Sequence, residues 1–409
     1  MLILVANLGS TSFKYKLLDV HGDVHNASVL PDGRVLAQGS VDRIGDPMSQ
    51  CEVEIGEFRE TSEMPVSDHG VAVQACLEQL TAPETGCLRD AAEVSAIAFK
   101  AVHGGRRSGT CLVDEDVLEA MAEMNAAAPA HNPPYIAAMK LLRERFPEMP
   151  LVAAFETEFH ESIPKARKTY AIERQYDRDF QIRKWGFHGS SHRFVAERMS
   201  ALLGRGDARI VSCHLGGSSS LTAIADGQSV MTTMGMTPQT GLPQNNRVGD
   251  FDPFALPLLQ QRTGLSTDAL LARLASEGGL KGISGISGDL RDLEKAAANG
   301  HEDAQLALDV YTEEIRRHLG GMMVALGGLD AIVFTGGVGE NSVRIRQSVC
   351  QDLAGLGIQL DSTANSNHKQ DSRNGEGSIH ASDSQTQIWV VPTNEEWIVA
   401  KRAKSVISA

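Results

Sequence analysis

A segment at the start of the chain returns near its middle. Ile3-Leu-Val-Ala-Asn-Leu-Gly-Ser-Thr-Ser-Phe-Lys-Tyr-Lys-Leu-Leu-Asp19 can be laid on Ile210-Val-Ser-Cys-His-Leu-Gly-Gly-Ser-Ser-Ser-Leu-Thr-Ala-Ile-Ala-Asp226, with a constant offset of 207. Ile, Leu, Gly, Ser and Asp coincide, and both segments read as strand, Gly/Ser turn, strand. Two readings fit. Either two β-hairpins use similar turn residues, or a domain is duplicated and each copy offers a hairpin turn to a shared cleft. Facing turns of this kind suit a polyphosphate, because Gly- and Ser-rich backbones bring several N–H groups and hydroxyls close to anionic oxygens.

The length allows two sizeable cores: 409 residues, of which 42% are hydrophobic and 22% charged, an ordinary globular balance that excludes a fibrous or disordered chain. The formal net charge of −14 argues against a nucleic-acid or anionic-membrane partner. It leaves an anionic substrate open, since a few local cations decide that. No run of 18 apolar residues is present, so no bilayer-spanning helix is expected. Met1-Leu-Ile-Leu-Val-Ala-Asn7 has no basic lead-in and reads as a strand of the fold, not a secretory signal. Cys51, Cys76, Cys87, Cys111, Cys213 and Cys350 show no CxxC spacing, which suits reduced thiols in a cytoplasmic protein.

Strand and helix patterns alternate, which predicts α/β architecture. Strands are expected at 2–6, 13–20, 94–102, 151–155, 331–334 and 388–391, and helices at 71–80, 114–127, 303–326 and 395–405. A further helix through Leu203 would take Ser190 and Ser191 as N-caps. Asn132-Pro133-Pro134 should break the chain after 114–127. The polar stretch 362–386 reads as exposed loop.

Three loops could cradle phosphate: Asn7–Ser12, His214–Ser220 and Gly336–Asn341. None has the Walker form, and Gly337-Val-Gly-Glu-Asn341 lacks the full dinucleotide fingerprint. Lys100-Ala-Val-His103, Phe187-His188-Gly-Ser-Ser-His192 and Asn246-Arg247-Val-Gly-Asp250 add cations. His188 and His192 lie four residues apart, but no third ligand has zinc spacing. Glu156 follows an apolar strand and Glu395 follows Thr393-Asn394, so both are expected at sheet edges, where carboxylates beside phosphate loops would suit Mg²⁺.

Taken in order, these stretches make the sequence resemble the acetokinase family, within the sugar kinase/actin/chaperone-ATPase superfamily. The resemblance runs over essentially the whole chain: Asn7–Tyr15, Val102–Gly105, His131–Pro134, Phe155–His160, Gly186–His192, Cys213–Gly216, Met234–Pro238, Gly282–Ser287, Ile332–Ser342 and Val391–Glu396. It implies two duplicated actin-like (ribonuclease H-like) domains with a nucleotide cleft between them, at 1–157 plus 393–409 and at 158–392. It also implies a homodimer formed through the second domain. The implied reaction is reversible, ATP-dependent phosphorylation of acetate or another short carboxylate to the acyl phosphate, with Mg²⁺ or Mn²⁺.

Carried over position by position, Asn7 and Glu395 would help hold the metal. Ser10, Ser12 and Lys14 would address nucleotide phosphates, and His214, Leu215, Gly216, Gly217 and Ser218 would form the second phosphate loop. Asp289, Leu290 and Arg291 would contact adenosine, as would Gly337, Val338, Gly339, Glu340 and Asn341, with Arg346 beside them. His188 and Arg247 would stabilise the moving phosphoryl group, and Lys100 and His131 would bind the carboxylate. Phosphoryl transfer passes through a loose, metaphosphate-like state, so alignment and charge neutralisation dominate. The acceptor is already ionised, so Glu156 is expected to orient metal or water instead of taking a proton.

The sequence departs from the family pattern at the site itself. Lys100 stands for an Arg, Glu156 for an Asp and Gly217 for an Asn of the second phosphate loop. Leu242-Pro-Gln-Asn-Asn246 replaces a run of small residues, and Ala130 replaces a Leu near the acyl pocket. Lys100 and Glu156 are expected to compensate each other, a longer carboxylate meeting a more compact cation. Propionate or a larger acid, a degenerate relative with weak catalysis, a nucleotide-sensing module and a pyrophosphate donor stay open as alternatives. Gly337–Asn341 with Asp289 and Arg291 favour adenosine over pyrophosphate.

Overall fold

The apolar run at the N-terminus forms a central strand, β1 (Leu2–Leu8), in which Ile3, Leu4, Val5 and Ala6 are all buried. Burial of consecutive residues means that both faces of the strand are covered. Strand β2 (Ser12–Val20) returns antiparallel to it, pairing Leu2 with Asp19 and Asn7 with Lys14. Next come β3 (Gly33–Asp42), β4 (Ser49–Ile55), β5 (Phe58–Met64), β6 (Val94–Ala101), β7 (Thr110–Leu112) and β8 (Leu151–Phe155). They make one sheet in the order β5-β4-β3-β2-β1-β6-β8-β7. The computed structural model describes residues 1–9, 11–21, 33–371 and 375–409. Its contacts divide it into Met1–Phe159 with Asn394–Ala409, and His160–Thr393.

The second unit holds β9 (Ile210–His214), β10 (Ser220–Ala225), β11 (Gln228–Thr232), β12 (Ala331–Thr335), β13 (Gly377–Ser378) and β14 (Gln387–Val390), in the order β11-β10-β9-β12-β14-β13. Five strands follow one plan in both units. In β3-β2-β1-β6-β8 the first two pairings are antiparallel and the next two parallel. The same holds for β11-β10-β9-β12-β14. The offset of 207 therefore marks a duplicated two-domain α/β fold and not two similar turns. Each unit has its own core, around Leu4, Phe13, Ile97 and Phe99 in one and Val211, Leu221, Ile332 and Phe334 in the other. The last helix, Glu395–Ile407, lays Val399, Ala400 and Ala403 against Ile3, Val5, Ala96 and Val152 of the first unit.

Four local expectations change. The helix Glu115–Glu123 ends well before Asn132-Pro133-Pro134, and the prolines start a helix, Asn132–Arg145, instead of breaking one. Proline is at home in a first turn, where its missing N–H has no partner to lose. In the helix Gly189–Leu203 the N-cap is His188, in the left-handed region with φ 57°, while Ser190 and Ser191 lie inside the first turn. Gly336–Asn341 is a short helix, not a loop. Within 362–386 lie the helix Ser362–Asp371 and strand β13. That helix is polar by composition but anchored: the Asp361 carboxylate accepts from the Thr363 and Ala364 N–H groups, and Asn365 is fully buried. Tertiary anchoring overrides weak propensity here.

The β9–β12 pairing continues past the strand ends. The Leu215 N–H donates to the Thr335 carbonyl at 2.8 Å, and the Leu215 carbonyl accepts from Val338 at 2.8 Å and Gly339 at 3.1 Å. Gly336 makes this approach possible: its φ is +76°, and a Cβ there would stand 2.7 Å from the Leu215 oxygen. A second close approach fixes the start of this unit. His160 is fully buried, 2.8 Å through Nε2 from the Phe187 carbonyl and 2.9 Å through Nδ1 from Ser229 Oγ. Gly186, with φ +78°, leaves no Cβ to collide with its ring at 2.7 Å.

Replacing Gly336 by Ala should cost about 1–3 kcal/mol through backbone strain, read as a fall of roughly 2–10 °C in thermal midpoint; an unchanged midpoint would contradict the close approach. Burial pushes His160 down to about 4. Its unfolded pKa is about 6.5, so the unfolded chain binds the extra proton first, and stability is lost as pH falls from about 6.5 towards 4. His160→Gln should flatten that part of the midpoint-versus-pH curve; an equally steep curve would show that His160 is not protonating there.

Candidate active site

In the first unit the predicted residues gather at the C-terminal ends of parallel strands. β1 and β6 pair Ala6 with Phe99, so Asn7 and Lys100 follow side by side on one face. Lys14 lies opposite Asn7 across the hairpin, and the turn between them closes with the Gly9 N–H donating to the Ser12 carbonyl at 2.8 Å. Ser10 lies outside the described residues. The Asn7 side chain is set by Tyr135, whose hydroxyl donates to Asn7 Oδ1 and accepts from the Leu8 N–H, each at 3.1 Å. Tyr135 is fully buried on the helix that the two prolines start. Nothing in its local sequence marks Tyr135 as a site residue, although it directly follows the His131–Pro134 run.

Lys100 is the charged centre of this group. Its Nζ lies 2.5 Å from Glu395 Oε2, at the first residue of the last helix. Glu156 follows β8 and is nearly buried at 4% exposure, with its N–H donating to the Ala101 carbonyl at 2.8 Å. Burial works against the charge on Lys100, but the Glu395 and Glu156 carboxylates outweigh it and raise the ammonium pKa. Lys100 thus has Glu395 as its bonded partner, and Glu156 acts on it through its field. The expected pairing of Lys100 with Glu156 is accordingly shared with Glu395. His131 stands half-buried ahead of the helix Asn132–Arg145, and its neighbour Asn132 bridges the His103 and Met121 carbonyls, each at 2.8 Å.

The second unit holds a histidine cluster around β9 and β10. The rings of His188 and His214 stack with centroids 4.3 Å apart. His188 Nδ1 and His192 Nε2 both lie 2.8 Å from Ser220 Oγ, while His192 Nδ1 lies 2.9 Å from Ser212 Oγ. Ser191 Oγ is 2.8 Å from His214 Nδ1. Burial, with His160 and His214 adding to it, holds His192 well below the usual histidine pKa, so it stays neutral as a fixed partner. His188 occupies the left-handed region, unusual for a residue with a Cβ and a mark of functional sites where strain is tolerated. His192, Ser212 and Ser220 support it; the sequence marks His192 by its spacing and Ser220 by its place in a Gly/Ser loop, while nothing local marks Ser212.

Arg247 is tied to the turn after β9. Its Nη1 donates to Ser218 Oγ and to Gln244 Oε1, each at 3.2 Å, and the Ser218 hydroxyl donates to Gln244 Oε1 at 2.7 Å. Gln244 is fully buried and also donates to the Pro238 carbonyl at 2.7 Å, so a residue noted only as a departure from the family pattern organises the arginine. Burial lowers the Arg247 pKa, and a guanidinium shifted down from its very high reference value remains a cation at neutral pH.

Beside this loop lies a cavity of about 600 Å³, lined by Gly216, Gly217, Asn245, Asp289, Leu290, Arg291, Gly337, Val338 and Asn341 among others. Four stretches far apart in sequence supply these residues. Leu215, Gly339 and Glu340 do not line it. Leu215 and Gly339 pack into the unit, and Glu340 Oε1 accepts from the Gly336 and Thr393 N–H groups. Arg346 is likewise turned away: it is 1% exposed and donates to the Gly339 and Glu340 carbonyls and to Asn365. It buttresses the short helix instead of meeting a ligand. Burial brings its pKa down to about 10.

The sequence profile of the acetokinase family matches residues 2–401. The acetate kinase of Pseudothermotoga lettingae is 37% identical over 412 residues, covering 100% of this chain and 98% of that protein. The acetate kinase of Desulforamulus reducens is 39% identical over 411 residues, covering 100% of both. Among solved structures, Porphyromonas gingivalis acetate kinase superposes with a TM-score of 0.88 at 34% identity, over 99% of each chain. A propionate kinase from Francisella tularensis superposes with a TM-score of 0.88 at 31% identity, again over 99% of each. With a matching profile over nearly its whole length and full-length relatives in the same fold, this chain belongs to the acetokinase family.

Proposed function

We propose that this protein catalyses the reversible, Mg²⁺-dependent transfer of the γ-phosphoryl group of ATP to acetate, giving acetyl phosphate. The observation that carries this reading is the cavity of about 600 Å³ where the Gly216–Gly217 turn, Asp289–Arg291 and Gly337–Asn341 converge. Its lining offers turn backbone beside an aspartate and an arginine, which suits a nucleotide with its phosphates at the turn.

The remaining groups have the chemistry that phosphoryl transfer needs. Two anions must meet, so fixed cations supply most of the catalysis. Lys100 offers a positive centre to the acceptor carboxylate, with His131 as a second polar contact. Arg247, held by Ser218 and Gln244, and His188, held by Ser220, neutralise the charge on the moving phosphoryl group. Lys14 and Ser12 address the phosphates from the first hairpin.

Asn7 and Glu395 present oxygen donors of the kind a hard divalent cation takes, one or two from protein and the rest from phosphate and water. Among the described residues no group of three His, Cys, Asp or Glu is arranged to hold a metal alone, so the nucleotide would complete the shell. When bound, the ion would supply charge neutralisation to the phosphate oxygens. Glu156 orients the ligands of that site, and no general base is required because the acceptor is already a carboxylate.

A second acceptor is propionate: one superposed relative is a propionate kinase, and Ala130 stands where the resemblance expects a larger Leu. We further propose a homodimer, because the second unit exposes Phe254 at 87%, Val324 at 83% and Phe180 at 62%. All six cysteines are free thiols, which suits a cytoplasmic setting.

Incubation with ATP, Mg²⁺, acetate and hydroxylamine should yield acetohydroxamate. No hydroxamate from acetate, propionate or butyrate at high enzyme concentration would contradict the kinase reading and favour a degenerate relative. Lys100→Met should lower kcat/KM for acetate by about 10²–10³ while changing the KM for ATP far less, and Lys100→Arg should retain most activity. A Lys100→Met enzyme with unaltered kcat/KM would remove Lys100 from the acceptor site.

A further inference from the structure

Gly217 and Asn245 face each other inside the nucleotide-side cavity. The Asn245 N–H donates to the Gly217 carbonyl at 3.3 Å. A Cβ built at Gly217 would stand 3.5 Å from Asn245 Nδ2 and 3.9 Å from its Cγ. A longer side chain at 217 would therefore need the space that the Asn245 amide fills. Gly217 has an ordinary φ, so its backbone does not require glycine. What distinguishes the position is its neighbour.

Asn245 is also pinned. Besides its N–H bond to Gly217, its carbonyl accepts from the Lys281 N–H at 2.8 Å, and the preceding Gln244 carbonyl accepts from Leu280 at 2.9 Å. Its side chain is half-buried, lines the cavity, and makes no hydrogen bond among the described residues. An amide carries two N–H donors, and a half-buried one held by its backbone without a protein partner is a pre-organised donor for a ligand.

We propose that Asn245 is a phosphate-binding residue of the nucleotide site, its Nδ2 donating to a phosphate oxygen of ATP or ADP from the space a side chain at 217 would otherwise occupy. The proposal rests on the nucleotide reading above and adds a residue to it. In the sequence, Gly217 and the Leu242–Asn246 run stand as two separate departures from the family pattern. In the folded unit they form one exchange: an amide lost from one loop is supplied by the loop packed against it.

Calorimetric titration with ADP and with adenosine tests this. Asn245→Ala should weaken ADP binding by about tenfold or more, the worth of a hydrogen bond to a charged oxygen, and leave adenosine binding within about twofold. The Asn245→Gly/Gly217→Asn double variant should regain ADP affinity to within about threefold of the unaltered protein, with Asn245→Gly alone remaining weak. Thermal midpoints of all variants show whether each is folded. ADP affinity of Asn245→Ala within about twofold of the unaltered protein would overturn the proposal. So would an equal loss for adenosine, or a double variant no better than Asn245→Gly. Failure of the unaltered protein to bind ADP would instead overturn the nucleotide reading on which the proposal rests.

Discussion

One carbonyl, that of Leu215, does much to bring together the groups that line the cavity of the second unit. By accepting from Val338 and Gly339 it fastens the turn after β9 to the short helix after β12. The absence of a Cβ at Gly336 is what lets the two backbones come that close. With those strand ends joined, Gly216 and Gly337 line one cavity, and Arg346 secures the far side of the helix through the Gly339 and Glu340 carbonyls. Two edges of the cavity are thus turns held by backbone hydrogen bonds, an arrangement that suits the recognition of phosphates by N–H groups.

The two units share a strand plan but not a chemistry. At the end of β1 and β6 the first unit places an amide, an ammonium and two carboxylates, with Tyr135 fixing the amide and Glu395 fixing the ammonium. At the end of β9 the second unit places imidazoles bridged by serine hydroxyls, and an arginine steadied by Gln244. Duplication explains the common framework. The divergence suits a reaction whose partners differ: a carboxylate and a metal need oxygen donors and a cation, while a phosphoryl group in flight needs cations and hydrogen-bond donors.

Much of this was legible in the sequence, for a physical reason. Buried strands such as β1 and β12 announce themselves as apolar runs, and the repeated strand–turn–strand pattern foretold the common plan of the two sheets. Asn7, Lys100, Glu156, Glu395, His188 and Arg247 could be picked out because they sit beside strands or Gly-rich turns. The hidden part consists of interactions between distant segments. Tyr135 and Gln244 look like ordinary core or loop residues until their bonds to Asn7 and Arg247 are seen. Arg346 looks like a ligand-binding cation until its burial is seen. The helix Ser362–Asp371 could not be read locally, because its stability comes from Asp361 and from Asn365 bonding to Arg346.

The central claim is that an oxygen of the acceptor carboxylate becomes the bridge to phosphorus. Acetate carrying oxygen-18 in both carboxyl positions tests it, with phosphorus-31 NMR of the phosphate set free when hydroxylamine takes the acyl group. Attack by the carboxylate leaves its bridging oxygen on phosphorus, so the account predicts phosphate shifted by a single heavy oxygen. Phosphate without the label would contradict it.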